Sequence, residues 1–124
     1  MPAAVATSER FALVVDDNAR AADVMAAMLE ANGWSVDKAR DGFEAILRFR
    51  ARSYGALLLD YQLPGMDGVE VLAWVRRNVA KRPQVLVVSS ENPDFLQTRF
   101  GGMGVSAILP KPLSAHDLIG ALPS

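Results

Sequence analysis

Cysteine is absent from the 124 residues, and histidine occurs once, as His116. The first absence excludes a disulfide framework and thiolate chemistry, and the second excludes a histidine metal cluster. Neither sign of charge is in excess: 13 basic and 14 acidic residues give a formal net charge of −1. Bulk electrostatics therefore offer no reason to expect nucleic acid or an anionic membrane as a partner. No apolar run approaches the roughly 20 residues that span a bilayer. The Ala-rich residues 1–7 lack the basic region and apolar stretch of a signal peptide. The expectation is a cytoplasmic protein with no membrane attachment, whose chemistry rests on carboxylates, hydroxyls and lysine.

What is present is an alternation of short apolar runs with longer stretches of helical period, the pattern of βα units. The length suits one domain with one core. Residues 1–9 read as a loose polar segment and 10–124 as the folded domain. Strands are expected at 11–15, 34–39, 56–60, 85–89 and 107–109. Leu57-Leu58-Leu59 and Val85-Leu86-Val87-Val88 are apolar without interruption, as central strands of a parallel sheet covered on both faces should be.

Five helices follow from period and punctuation. The first turns Ala21, Met25, Met28 and Leu29 inward and stops at Asn32-Gly33. The second starts after Asp41-Gly42 with Ala45, Ile46 and Phe49 inward, and the third runs from about Asp67 through Val71, Leu72 and Val75. The fourth lies between Pro93 and Phe100, closed by Gly101-Gly102. The last opens on Ser114, with Asp117 placed to complete a capping box, and stops at Leu122-Pro123. Right-handed crossovers then give an open, doubly wound α/β sheet with its ligand site at the carboxyl ends of the strands.

That rule brings Asp16, Asp17, Asp60, Ser89 and Lys111 to one pocket. Asp16-Asp17-Asn18 also suits a helix cap, so its acids have two readings at this point. Asp60 ends the most apolar strand and has no capping role, because Pro64-Gly65 intervene before the next helix. Three clustered carboxylates repel one another unless a cation neutralises them. Mg²⁺, which takes few carboxylates and keeps positions open for water and phosphate oxygens, is the natural ion. In such a pocket Asp60 can attack phosphorus while Ser89 and Lys111 hold the phosphoryl oxygens.

The set Val14-Val15-Asp16-Asp17-Asn18, Leu59-Asp60-Tyr61-Gln62-Leu63-Pro64-Gly65-Met66-Asp67-Gly68, Val88-Ser89-Ser90 and Lys111-Pro112 resembles the receiver domains of bacterial two-component response regulators. The likeness runs from about Phe11 to Leu122. It implies a five-stranded flavodoxin-like fold of strand order 2-1-3-4-5 and phosphorylation of Asp60 from a phosphohistidine. It also implies Mg²⁺ held by Asp17, Asp60 and the backbone carbonyl of Gln62, with Asp16 assisting through water. Ser89 takes the place of the switch hydroxyl, Lys111 that of the conserved lysine, and a cis bond precedes Pro112. The implied partners are a histidine kinase or histidine phosphotransfer protein and a downstream protein on the last helix–strand–helix face. No direct nucleic-acid contact is implied, and the domain is a signalling switch, stand-alone or part of a longer regulator or hybrid kinase, rather than an enzyme.

Three positions depart from the family pattern. Ile108 stands where most members carry an aromatic residue, Ser90 replaces a small Ala or Gly, and Pro110 precedes the lysine. Gln62 and Glu91, which flank the site, are positioned to tune the lifetime of the acyl phosphate. Two other functions are weighed against the switch. A haloacid dehalogenase-type phosphatase needs a second aspartate where Gln62 stands, and a receiver-like module that only binds partners has no use for the intact acid set.

Overall fold

The computed structural model describes residues 10–122; the expected loose segment 1–9 and residues 123–124, with the expected stop at Pro123, lie outside them. Five strands, β1 (Phe11–Val15), β2 (Ser35–Ala39), β3 (Ala56–Leu59), β4 (Gln84–Ser89) and β5 (Ala107–Pro110), alternate with five helices. The helices are α1 (Ala19–Glu30), α2 (Gly42–Ala51), α3 (Gly68–Asn78), α4 (Pro93–Phe100) and α5 (Ala115–Ala121). The strands pair in parallel in the order β2-β1-β3-β4-β5, the order that the sequence resemblance implies.

Alternation along each central strand divides the interior into two layers. Leu13, Val15, Leu57, Leu59, Val85 and Val87 meet α2, α3 and α4 on one face. Ala12, Val14, Ala56, Leu58, Leu86 and Val88 meet α1 and α5 on the other. This double covering is why β3 and β4 read as unbroken apolar runs. Each fully buried leucine contributes about 2–3 kcal/mol, so the middle of the sheet is a rigid platform for whatever its ends carry.

Boundaries shift where local hydrogen bonds compete with the ladder. Trp34, expected in β2, instead donates its N–H to the Leu29 carbonyl at 3.1 Å and closes α1 beside Gly33, whose φ is +88°. Asp60 falls just past β3. On α1 the deepest residues are Ala22, Met25, Ala26 and Leu29, while Ala21 and Met28 are half-buried. On α2 Ile46 is only half-buried, contrary to its expected inward position, because Gly42, Ala45 and Phe49 form the inner face. Ser114 caps α5 by accepting from the Asp117 N–H at 3.0 Å, but a full reciprocal capping box, among the described residues, belongs to Asp67 and Glu70 at α3.

Below the sheet, the Tyr54 ring packs edge-on to Phe11 and Phe49, and its hydroxyl donates to Asp37 Oδ2 at 2.6 Å. Burial, reinforced by the neighbouring Asp37 carboxylate, raises the phenol above its ordinary value of 10.0. The unfolded chain releases this proton near pH 10.0 while the folded chain retains it. The contribution to stability is therefore complete below that pH and lost as pH rises above it. We expect Tyr54→Phe to cost about 1 kcal/mol at neutral pH and to flatten the fall in stability above pH 10.0, as read from urea unfolding at the two pH values.

Candidate functional site

At the carboxyl ends of β1, β3 and β4 stand residues that hydrophobicity cannot explain: Asp16 and Asp60, each just past its strand, and Ser89, the last of its own, are the buried polar residues of the described chain. Parallel register places them at one edge. The Asp16 N–H extends the ladder to the Ala39 carbonyl (3.0 Å), and the Asp60 N–H reaches the Val15 carbonyl (3.1 Å). Lys111 arrives from the loop after β5, where its N–H meets the Ser89 carbonyl at 3.2 Å and a cis bond joins it to Pro112. The order of strands puts β5 and Pro110 at the sheet edge, as expected for a residue without an N–H donor.

The Lys111 ammonium stands between two carboxylates, 2.6 Å from Asp16 Oδ2 and 2.8 Å from Asp60 Oδ2. Burial works against its charge, but the Asp16 and Asp60 carboxylates outweigh that penalty and hold the ammonium above its ordinary value of 10.5. The approach to Asp60 is an aligned hydrogen bond. That to Asp16 Oδ2 is close but out of line, so this fully buried oxygen feels the charge while having no aligned donor. Asp16 Oδ1 accepts from the Asn18 N–H at 2.8 Å.

Asn18, not either aspartate, caps α1, accepting from the Ala21 N–H at 3.0 Å. The capping reading of the Asp16-Asp17-Asn18 triplet thus applies to its third residue only. Asp17 is exposed, and carboxylate oxygens of Asp16, Asp17 and Asp60 lie within 4.8 Å of one another. Three carboxylates and one ammonium leave two negative charges uncompensated. An all-oxygen cluster with that deficit, containing a buried oxygen without an aligned donor, fits a small hard divalent cation such as Mg²⁺.

Ser89 Oγ accepts from the Glu91 N–H at 3.2 Å, leaving its own hydrogen to donate. Gln62 lies in the β3–α3 loop with an exposed side chain, and among the described residues its carbonyl accepts no protein hydrogen bond. Ser90 is exposed and, with Lys111, lines a largely apolar depression of about 380 Å³ bounded by Val24, Met25 and Leu113. Ile108 is half-buried against the α2–α3–α4 layer.

Gly68 is a site residue that the sequence named without a task. A Cβ there would lie 2.3 Å from the Asp60 carbonyl oxygen, and its N–H donates to the Tyr61 carbonyl at 2.8 Å. Its place at the first turn of α3, just after the capping Asp67, marks a helix start and does not disclose this contact.

Sheet order, layering and an acid pocket at the point where the strand order reverses, between β1 and β3, define a flavodoxin-like α/β domain. A family model for the response regulator receiver domain matches residues 12–123, and the chain belongs to that family. The transcriptional regulatory protein TrcR of Mycobacterium tuberculosis is 32% identical over 112 residues, covering 89% of this chain and 42% of that protein. The sensor histidine kinase AruS of Pseudomonas aeruginosa is 34% identical over 125 residues, covering 98% of this chain and 12% of that one. A solved sensor protein from Polaromonas sp. JS666 superposes with a TM-score of 0.83 at 30% identity, covering 90% of this chain and 91% of that chain. The chain spans less than half the length of these curated relatives. Receiver domains are phosphoacceptor signalling domains, generally not enzymes, that bind Mg²⁺ at an acidic pocket and interact with histidine kinases and downstream effectors. Among the described residues no helix is long and apolar enough to cross a membrane.

Proposed function

We propose that residues 10–124 form a phosphorylation switch that accepts a phosphoryl group from a phosphohistidine onto Asp60, in a reaction that requires Mg²⁺. The observation that carries this reading is the Lys111 ammonium bridging Asp16 and Asp60 in a buried pocket with Asp17 alongside. Asp16, Asp17, Asp60 and the Gln62 carbonyl would hold the metal, with Asp16 acting through water. When bound, Mg²⁺ supplies positive charge to the equatorial oxygens of the transferring group.

Asp60 is the acceptor because its carboxylate ends the central strand and is held in place by Lys111. A carboxylate oxygen of Asp60 attacks phosphorus in line. The phosphorus–nitrogen bond of the donor breaks, and its electron pair leaves with the imidazole nitrogen. Lys111 remains with the phosphoryl oxygens as their countercharge, and Ser89 donates its free hydroxyl hydrogen to one of them. Most of the rate then comes from position and charge already present in the folded state. Asp17, directly, and Asp16, through water, would serve the metal and would not compete as acceptors.

The apolar depression beside Lys111 and Ser90 suits the approach of a protein donor, a histidine kinase or histidine phosphotransfer protein. A downstream protein then reads the α4–β5–α5 face. This assigns the chain to the cytoplasm, where ATP feeds the donor. Its own turnover is limited to phosphotransfer and loss of the phosphoryl group, which Gln62, Ser90 and Glu91 tune. Relatives of greater length allow the domain to stand alone or within a longer protein.

Incubation with acetyl phosphate and Mg²⁺ tests the reading by intact mass. One labile phosphoryl adduct is expected on the wild type, with none on Asp60→Asn and none without the metal. An adduct that persists in Asp60→Asn would remove Asp60 from its role.

A further inference from the structure

The residue that follows the acceptor, Tyr61, is not part of the acid pocket, yet its ring contacts two aromatic residues of α4. Its ring meets Phe95 edge-on at 5.3 Å and 84°, and Phe100 at 6.2 Å and 80°. Arg99, on the same helix, lies 5.8 Å from the Tyr61 ring centroid and extends to Asp67 Oδ2 at 3.5 Å. The Arg99–Asp67 pair is solvent-exposed and counts for little; the ring contacts, which have a preferred geometry, are the firmer link.

At its other end Tyr61 has little freedom. Its carbonyl accepts from Gly68, and Gly68 leaves no room behind the Asp60 carbonyl. A change at Asp60 thus passes into the Tyr61 backbone rather than into slack loop. The start of α4 hangs from the same pocket by a second route: Ser89 Oγ holds the Glu91 N–H, and Asn92 caps the helix by accepting from Asp94 and Phe95. Phe95 is the point where both routes meet.

Resting on the phosphoswitch reading, we infer that Tyr61 is a coupling residue. Through its ring contacts with Phe95 and Phe100, occupancy of Asp60 shifts α4, in a chain whose β5 carries Ile108 and no aromatic. Tyr61 is a positioning residue that acts through α4. Phe95 itself is 42% exposed, at the surface of α4.

Coupling has a thermodynamic signature that a purely structural role lacks. If filling the site must displace α4 through Tyr61, that displacement opposes binding in the wild type. Cutting the link relieves it. A residue that merely held the Asp60 loop in shape would, when removed, weaken binding.

The test uses beryllofluoride, a phosphoryl mimic, titrated with Mg²⁺ into the ¹⁵N-labelled full chain of wild type, Tyr61→Phe, Tyr61→Ala and Phe95→Ala. Phe95 is a surface residue, so Phe95→Ala cuts the link from the helix side even if Tyr61→Ala fails to fold. Wild type and Tyr61→Phe are expected to bind with amide shifts along α4. In Tyr61→Ala and Phe95→Ala those shifts should fall to roughly half or less, with affinity equal or up to several-fold tighter. Undiminished α4 shifts in these two variants, weaker binding by Tyr61→Ala, or wild-type binding that leaves α4 unmoved would each overturn the inference alone. No binding by the wild type would overturn the phosphoswitch reading and this inference with it.

Discussion

Lys111→Ala is expected to unfold far more readily than the wild type in the absence of divalent metal, by about 3–5 kcal/mol at neutral pH. The size follows from what is left behind. Asp16 has no side-chain exposure and Asp60 has 8%, and with Lys111 gone neither has a cation. Two carboxylates buried side by side without a countercharge cost stability. Two controls separate this explanation from loss of packing by the lysine stem. Saturating Mg²⁺ should restore much of the deficit by replacing the missing charge, and adding Asp16→Asn to Lys111→Ala should restore part of it without metal. Urea unfolding of the four combinations provides the comparison. The same substitution should slow phosphoryl uptake by a factor on the order of 10²–10³, the usual cost of removing one preorganised countercharge.

Gly68→Ala is expected to destabilise the fold and impair the site together. Helix propensity alone favours alanine by about 1 kcal/mol. Against it stands a methyl group 2.3 Å from the Asp60 carbonyl oxygen and 3.0 Å from the Tyr61 Cα, both of them backbone atoms. They cannot step aside cheaply, because Asp60 is tied to Val15 and β3 is buried on both faces. Overpacking of this kind costs about 1–3 kcal/mol, so the clash wins. The displaced carboxylate should also accept phosphate roughly tenfold more slowly. Gly120→Ala in α5 is the matched control. Its Cβ would meet nothing within 4 Å, and a small gain in unfolding midpoint is expected.

The sheet was legible because its signal is local and repeated. Leu57-Leu58-Leu59 and Val85-Leu86-Val87-Val88 each state a doubly covered strand, and the helices between them carry their own caps and stops. The site acids were legible for a related reason. Once five parallel strands are accepted, their carboxyl ends must share one edge, so Asp16, Asp60, Ser89 and Lys111 meet without further information. What stayed hidden depends on contacts between distant segments. Nothing near Gly68 in sequence reveals that a Cβ would strike Asp60. Nor does the triplet Asp16-Asp17-Asn18 state which member caps α1, since all three side chains are able to do so. Tyr54 and Asp37 pair across 17 positions, and Tyr61 finds Phe95 and Phe100 only when α4 is laid against the β3–α3 loop. The half-buried Ile46 has the same origin, because the inner face of α2 starts at Gly42, which has no Cβ and lies close to Val71 and Met66.

Asp16 and Asp60 stand almost equally close to Lys111, at 2.6 and 2.8 Å, so a phosphoryl adduct by itself would not say which carboxylate bears it. Borohydride reduction of the phosphorylated wild type, which converts an acyl phosphate to the alcohol, followed by peptide sequencing in the mass spectrometer, locates the modified residue directly. Homoserine is expected at position 60, with Asp16 and Asp17 unmodified. Homoserine at position 16 or 17, or none anywhere in a chain that has taken up phosphate, would contradict it.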